Sequence, residues 1–367
     1  MSLRAAVSVI VLASVVLVGC APRAPSGPWL ERPLERIPRL SLLALGDTGE
    51  PPGWNPFSDG QNRVADALAA EDLRRPSDAL LFLGDNFYPR GLVASEVEQR
   101  VRLNLVRPYC RFASLSGPDS GRVASDCGLA PSARHVVPLF AVLGNHDHGS
   151  AGSAALERDA VPRYVANWRL AGDPIERVEL AQGVSLIFFD STRLRRGGNA
   201  APLAHALRSA QGAFRVLVAH HPLEDDDASR GIADAIAASG TRPQLLLAGH
   251  LHSLRAGTPG GAGPALQIVS GGGAGTERSS HHISGERFAL AAPGFARVDL
   301  VDGPGEPSLR VTLYRVSGWP WPGRANAQPV AVWSVSQSGV VTLDLDRQSA
   351  TSAISSTSRQ MFQGSDE

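Results

Sequence analysis

Five short blocks in the 367-residue chain carry side chains that can hold metal ions. They are Gly46-Asp47-Thr48-Gly49, Gly84-Asp85-Asn86-Phe87-Tyr88, Gly144-Asn145-His146-Asp147, Ala219-His220-His221-Pro222 and Gly249-His250-Leu251-His252. Carboxylate, phenolate and imidazole are oxygen and nitrogen donors suited to iron, zinc or manganese, and no block offers a thiolate. A carboxylate can bridge two cations roughly 3.5–4 Å apart, the spacing used for in-line displacement at phosphorus, and water held there becomes a hydroxide nucleophile at mild pH. Such cations also neutralise charge building on the phosphoryl oxygens. One Gly-Asp pair would mean little, because it commonly just turns the chain or caps a helix. Five blocks in series, each following an apolar run, point to chemistry. A structural metal site is closed by four ligands. Five blocks of such donors exceed what one closed site needs, which favours open coordination positions and catalysis over a metal-stabilised binding module.

The elements that must position these blocks are legible as short apolar runs. Ser41–Leu45, Ala79–Leu83, Val136–Leu143, Val184–Phe189, Phe214–Ala219, Gln244–Ala248 and Ala265–Val269 are apolar on both alternations, as strands buried on both faces should be. Helix-like stretches lie between them at Gln61–Asp72, Ser95–Val106, Ala151–Trp168, Ala200–Ala210 and Ile232–Ser239. The alternation predicts an α/β layered fold with much of the sheet parallel or mixed. The ligand-type residues would then sit beyond strand ends, where open α/β sheets bind their ligands. The runs Phe295–Val301, Leu309–Val316, Val330–Val335 and Gly339–Leu345 have no helices between them and predict antiparallel pairing in a second sheet. The expected organisation is a catalytic domain over 40–345 and a frayed polar tail over 346–367.

Together the blocks resemble the calcineurin-like metallophosphoesterase superfamily, and in detail the purple acid phosphatases of the tartrate-resistant type. Most of that superfamily opens with Asp-x-His, whereas this chain has Asp47-Thr48-Gly49; Tyr88 in the second block stands in for the absent histidine, the mark of the purple enzymes. The resemblance implies a four-layer αββα sandwich of two mixed sheets flanked by helices. It implies Fe(III) held by Asp47, Tyr88 and His252, a divalent iron, zinc or manganese ion held by Asn145, His220 and His250, and Asp85 bridging them. His146 would face the substrate and protonate the leaving oxygen, a role suited to an imidazole titrating near neutrality. The activity implied is acid hydrolysis of small phosphate monoesters, with a phosphodiesterase or nucleotidase on the same metals as the alternative.

One departure concerns a second substrate-facing histidine that tartrate-resistant relatives carry shortly after the fourth block. Here that stretch reads Pro222-Leu223-Glu224-Asp225-Asp226-Asp227, an acidic segment expected to be a solvated loop. His221 is expected to point away from the site, as the strand neighbour of a ligand does. Asp147 and His148 are read as shaping the turn after His146, and His281-His282 as an exposed loop pair.

Basic and acidic side chains number 35 each, and the balance argues against a nucleic-acid partner. Every basic residue other than histidine is Arg, which excludes a lysine nucleophile. Ahead of the domain, Arg4 precedes an apolar run of 14 residues, Ala5–Val18, too short to span a bilayer and suited to a signal-peptide core over 1–19. It ends Leu17-Val18-Gly19-Cys20, which resembles the lipobox of bacterial lipoproteins. The resemblance implies acylation of Cys20 and export to the cell envelope, held at a membrane by lipid; the prolines that follow read as a tether over 20–39, and a monomer is expected. In an oxidising compartment Cys110 and Cys127, separated by 17 positions, favour a disulfide over free thiols.

Overall fold

The computed structural model describes residues 37–49, 60–277, 280–303, 305–318 and 325–346. The signal segment, Cys20 and the rest of the tether up to residue 36, and the tail from 347 onward lie outside the described residues. Among the described residues, fifteen strands form two sheets. They are β1 (Leu40–Leu45), β2 (Ala79–Phe82), β3 (Leu139–Ala141), β4 (Trp168–Leu170), β5 (Ile175–Leu180), β6 (Val184–Phe189), β7 (Phe214–Val218), β8 (Leu245–Ala248), β9 (Leu254–Gly257), β10 (Leu266–Ser270), β11 (Glu286–Leu290), β12 (Gly294–Val301), β13 (Ser308–Ser317), β14 (Asn326–Ser336) and β15 (Val341–Asp346). One sheet runs β15-β14-β13-β12-β1-β2-β3-β4 and the other β11-β9-β10-β8-β7-β6-β5.

Both sheets are mixed. Strands β1 to β4 are mutually parallel, as are β6, β7, β8 and β10, while β5, β9 and β11 are antiparallel to their neighbours. The four C-terminal runs do pair antiparallel, but they do not build a second sheet. Strand β12 lies antiparallel against β1 and extends the first sheet through β13, β14 and β15. The second sheet is assembled from β5 to β11.

Alternation along the strands divides the core into layers. Leu42 and Ala44 of β1 meet Leu186 and Phe188 of β6 and Val216 and Val218 of β7 between the sheets. Leu43 and Leu45 face outward onto Val64 and Leu68 of helix α1 (Gly60–Arg74). On the other outer face Ile187, Phe189 and Leu217 pack under α6 (Ala201–Ser209) and α7 (Arg230–Ser239) through Leu203, Leu207, Ile232 and Ile236. Each such side chain contributes roughly 1.5–3 kcal/mol on burial. The result is helix, sheet, sheet, helix, the αββα layering that the family resemblance implies.

Remaining helices are short: α2 (Val97–Val101) runs through a π turn at Arg102–Val106 into α3 (Arg107–Tyr109), and α4 (Ser153–Asp159) and α5 (Ser191–Arg195) follow. The single helix expected over Ala151–Trp168 is not formed. It stops after α4, continues as a 3₁₀ turn at Val161–Arg163 containing Pro162, and Trp168 already opens β4. Proline has no amide to donate to the preceding turn, so the helix cannot propagate through it. Cys110 and Cys127 are joined by a disulfide, with Cα atoms 5.1 Å apart.

Candidate metal centre

The carboxyl ends of β1, β2, β3, β7 and β8 meet along one edge, and all five blocks lie there. Backbone bonds from Gly46 to Ser270 (2.8 Å) and from Gly273 to Gly46 (3.1 Å) tie the two sheets together at this edge. Three of the ligand-type residues, Asp47 (φ 59°), Asp85 (φ 53°) and His250 (φ 68°), adopt the left-handed backbone region. For side chains other than glycine this costs of order 1 kcal/mol or more and persists only where surroundings fix it. Here they do: Asp47 donates its amide to Gly84 (3.0 Å), and His250 donates its amide to Asp47 Oδ2 (2.8 Å). The glycines preceding two ligands have a steric reason as well. A Cβ on Gly144 would fall 2.1 Å from Asp85 Oδ1, and one on Gly249 would fall 2.6 Å from Asp47 Oδ2.

Tyr88 stands at the centre. Its hydroxyl lies 2.9 Å from Asp47 Oδ1, 2.9 Å from Asp85 Oδ2 and 3.0 Å from His252 Nε2. On the other side of Asp85, its Oδ2 is 3.3 Å from His220 Nε2, which is 3.1 Å from Asn145 Oδ1. The His250 ring packs 5.1 Å from the His220 ring. His220 donates Nδ1–H to the Leu83 carbonyl at 2.9 Å, and this leaves Nε2 as the ring atom facing the site, the usual arrangement for a ligating histidine.

These groups fit a pair of cations. One phenolic proton is set against carboxylate oxygens of both Asp47 and Asp85, so more lone pairs converge than that proton can fill. The ligand atoms of Asp47, Asp85 and His220 lie within 4.8 Å of one another. Burial, then the charges of Asp47 and Asp85, push the Tyr88 phenol far above its ordinary range, so the phenolate needs a strongly charged cation to exist. Asp85 is held well below the usual carboxylate range: burial opposes this, but His220 and the His146 amide overcome it. Burial opposes the charged form of His220, but the Asp85 charge and hydrogen bond together with the Asp47 charge and the Leu83 carbonyl push it up to about 9. A cation at this site must displace that proton, so loading is favoured by rising pH. Burial and the neighbouring His220 instead lower His250 to about 3, which keeps it neutral and able to ligate.

His146 borders this set without joining it. Its amide donates to Asp85 Oδ1 (2.9 Å), its ring lies 4.5 Å from the Tyr88 ring, and Nδ1 is 2.7 Å from the Pro89 carbonyl. A carbonyl only accepts, so Nδ1 carries a proton and Nε2 is the atom left to exchange one with a substrate.

Beneath the site, the fully buried Asp147 carboxylate accepts amides from Gly144 (2.8 Å), Asn86 (3.0 Å) and Phe87 (3.1 Å). It therefore fastens the turn bearing Asn145 and His146 to the turn bearing Asp85 and Tyr88, a larger role than shaping one turn. Asn86 completes the clamp, donating Nδ2–H to the Val142 carbonyl (2.8 Å) and to Glu157 Oε2 (3.0 Å). Burial and the adjacent Asp85 charge raise Asp147 to about 7; burial and Asp147 raise Glu157 well above its ordinary value. Sequence reading missed Asn86 and Glu157. The former lies inside a block, while the latter is a lone helical Glu with no signal. An Asp147→Ala chain is expected to lose at least about 3 kcal/mol of stability, because three buried amides lose their acceptor. Denaturant unfolding and metal analysis check this, and unchanged stability with full metal content would refute it.

Other candidates fall as follows. His148 pairs with Asp190 at 2.9 Å. Glu224 is not a solvated loop residue: its carboxylate meets Arg195 at 3.2 Å, and its backbone bridges to Ile283, whereas Asp225 to Asp227 are exposed. His281 and His282 are exposed, facing Glu224 (3.7 Å) and Glu286 (2.9 Å) respectively. His221 does not point away. Its ring lies 4.4 Å from His250 and 4.9 Å from His220, because β7 ends at Val218 and strand alternation no longer governs the turn beyond it.

A family profile described as calcineurin-like phosphoesterase matches residues 40–254. No curated protein matches the sequence. Among solved structures, the chain is similar to one described as "GAP50 the anchor in the inner membrane complex of Plasmodium", at 14% identity over 79% of this chain and 89% of that one, with a TM-score of 0.51. It is also similar to one described as "Structure of PhoD", at 12% identity over 86% of this chain and 73% of that one, with a TM-score of 0.53. At such identities the likeness is one of fold.

Proposed function

The chain belongs to the calcineurin-like phosphoesterase family, a family of dimetal-dependent hydrolases acting on phosphoesters, and we propose that within it this protein is a purple-type acid phosphatase that cleaves phosphate monoesters. The observation that carries the reading is the Tyr88 hydroxyl within 3.0 Å of Asp47, Asp85 and His252. A hard anionic phenolate is the donor that selects Fe(III). Asp47, Tyr88 and His252 would hold the ferric ion, Asp85 would be shared, and Asn145, His220 and His250 would hold a divalent iron, zinc or manganese ion.

When bound, such a pair of cations supplies Lewis acidity toward the phosphoryl group and a water acidic enough to attack phosphorus at mild pH. The chain's own residues do the rest. Asp85 sets the spacing of the two ligand groups and, through the His146 amide, the position of that imidazole. His146 gives its Nε2 proton to the departing alkoxide and is held for it by the Pro89 carbonyl. The Asp147 clamp keeps both turns in register so that the leaving oxygen and the imidazole meet.

Export to the cell envelope as a monomer with lipid on Cys20 is part of the same proposal, supported by the Ala5–Val18 run and Leu17-Val18-Gly19-Cys20. The substrate reading is tested by rates on p-nitrophenyl phosphate and bis(p-nitrophenyl) phosphate side by side. A monoester preference of tenfold or more in kcat/KM is expected; a diester preference would move the protein to the phosphodiesterases.

A further inference from the structure

His221 is a buried imidazole that the functional reading leaves unused. Only 5% of its surface is open, yet it sits in the turn between His220 and the acidic segment, with its ring against those of His220 and His250. One ring nitrogen of each of these three histidines lies within 4.8 Å of the others. The Ser191 hydroxyl fixes the tautomer. Ser191 Oγ accepts the His221 amide at 3.0 Å, and its remaining partner is His221 Nδ1 at 2.9 Å. The arrangement that uses every group has the hydroxyl donating to Nδ1, which puts the ring proton on Nε2. Among the described residues Nε2 has no hydrogen-bond partner. A ring N–H without a protein partner is free to donate to a ligand or to water.

We propose that His221 Nε2–H donates a hydrogen bond to a phosphoryl oxygen of the bound monoester, making it a substrate-positioning residue of the second ion's side of the site. This rests on the functional reading above and deepens it: the recognised group is a terminal phosphate dianion, held by an N–H donor that Ser191 presets. The ligand in question is the shared phosphoryl group, so inorganic phosphate serves as the probe.

Full-length wild type, His221→Ala, His221→Gln and Ser191→Ala are loaded identically with metal. Metal per chain, phosphate binding by calorimetry, and kcat and KM for p-nitrophenyl phosphate are then measured. The expected result is unchanged metal content with phosphate affinity lowered about 10- to 100-fold in His221→Ala, the range for a hydrogen bond to a charged group. Partial recovery is expected in His221→Gln, whose amide also donates, and a smaller loss in Ser191→Ala. Unchanged phosphate affinity in His221→Ala with metal intact would overturn the proposal. So would loss of one metal equivalent, which would make His221 a ligand instead of a donor. A wild type that binds phosphate and hydrolyses no ester would overturn the functional reading, while the binding comparison would still decide the role of His221.

Discussion

An Asp85→Ala protein is expected to retain at most one metal ion per chain and to hydrolyse phosphate esters at least about 10³-fold more slowly. The Asp85 side chain is placed toward both halves of the ligand set: Oδ2 reaches Tyr88 at 2.9 Å and His220 at 3.3 Å, while Oδ1 takes the His146 amide at 2.9 Å. Removing it leaves two groups of donors with no shared anion to offset the mutual repulsion of two cations, and it also frees the backbone that orients His146. Exposed Asp225, close in sequence to the site but outside the ligand set, gives the control: Asp225→Ala should leave metal content and rate unchanged. Metal analysis beside the monoester rate reads both, and an Asp85→Ala protein with two ions and full activity would remove the basis of the assignment.

His146→Ala is expected to keep both ions and lose kcat by about 10²- to 10⁴-fold, the usual range for a general acid. Its side chain donates to the Pro89 carbonyl and not to a candidate ligand, so the metal set does not depend on its ring. The loss should shrink as the leaving group becomes more acidic, because a good leaving group needs no proton. A series of aryl and alkyl phosphates therefore separates this role from a structural one. An equal loss for every ester would mean that His146 serves binding or folding and not proton transfer.

Much of this site was legible because metal ligation restricts residue type and the sheet edge restricts place. Asp47, Asp85, Tyr88, Asn145, His220, His250 and His252 each follow a short apolar run, and the structure brings all of them to one edge. Strands apolar on both alternations gave an α/β layered fold, and the family resemblance implied its αββα layering. What escaped has physical reasons. Strand β4 is three residues long, and β5 and β11 are half-exposed edge strands rich in Glu and Arg, so none of them shows a buried strand's pattern. Periodicity reports that β12 to β15 pair antiparallel but not which sheet they extend, since the partner, β1, lies some 250 residues earlier in the chain. The Asp147–Asn86–Glu157 clamp escaped in part because its hydrogen bonds span 60 to 71 positions in the sequence. His221 was misplaced by applying a strand rule to a turn.

The central claim is that Tyr88 is a ligand to Fe(III), and the visible spectrum of the purified protein tests it most directly when recorded beside its metal content for wild type and Tyr88→Phe. The account predicts a purple wild type holding iron, and a variant that loses the band while remaining folded. A colourless wild type carrying two zinc or manganese ions would contradict it: the protein would remain a metallophosphoesterase, but Tyr88 would be a packing residue beside the metals and not a donor to them.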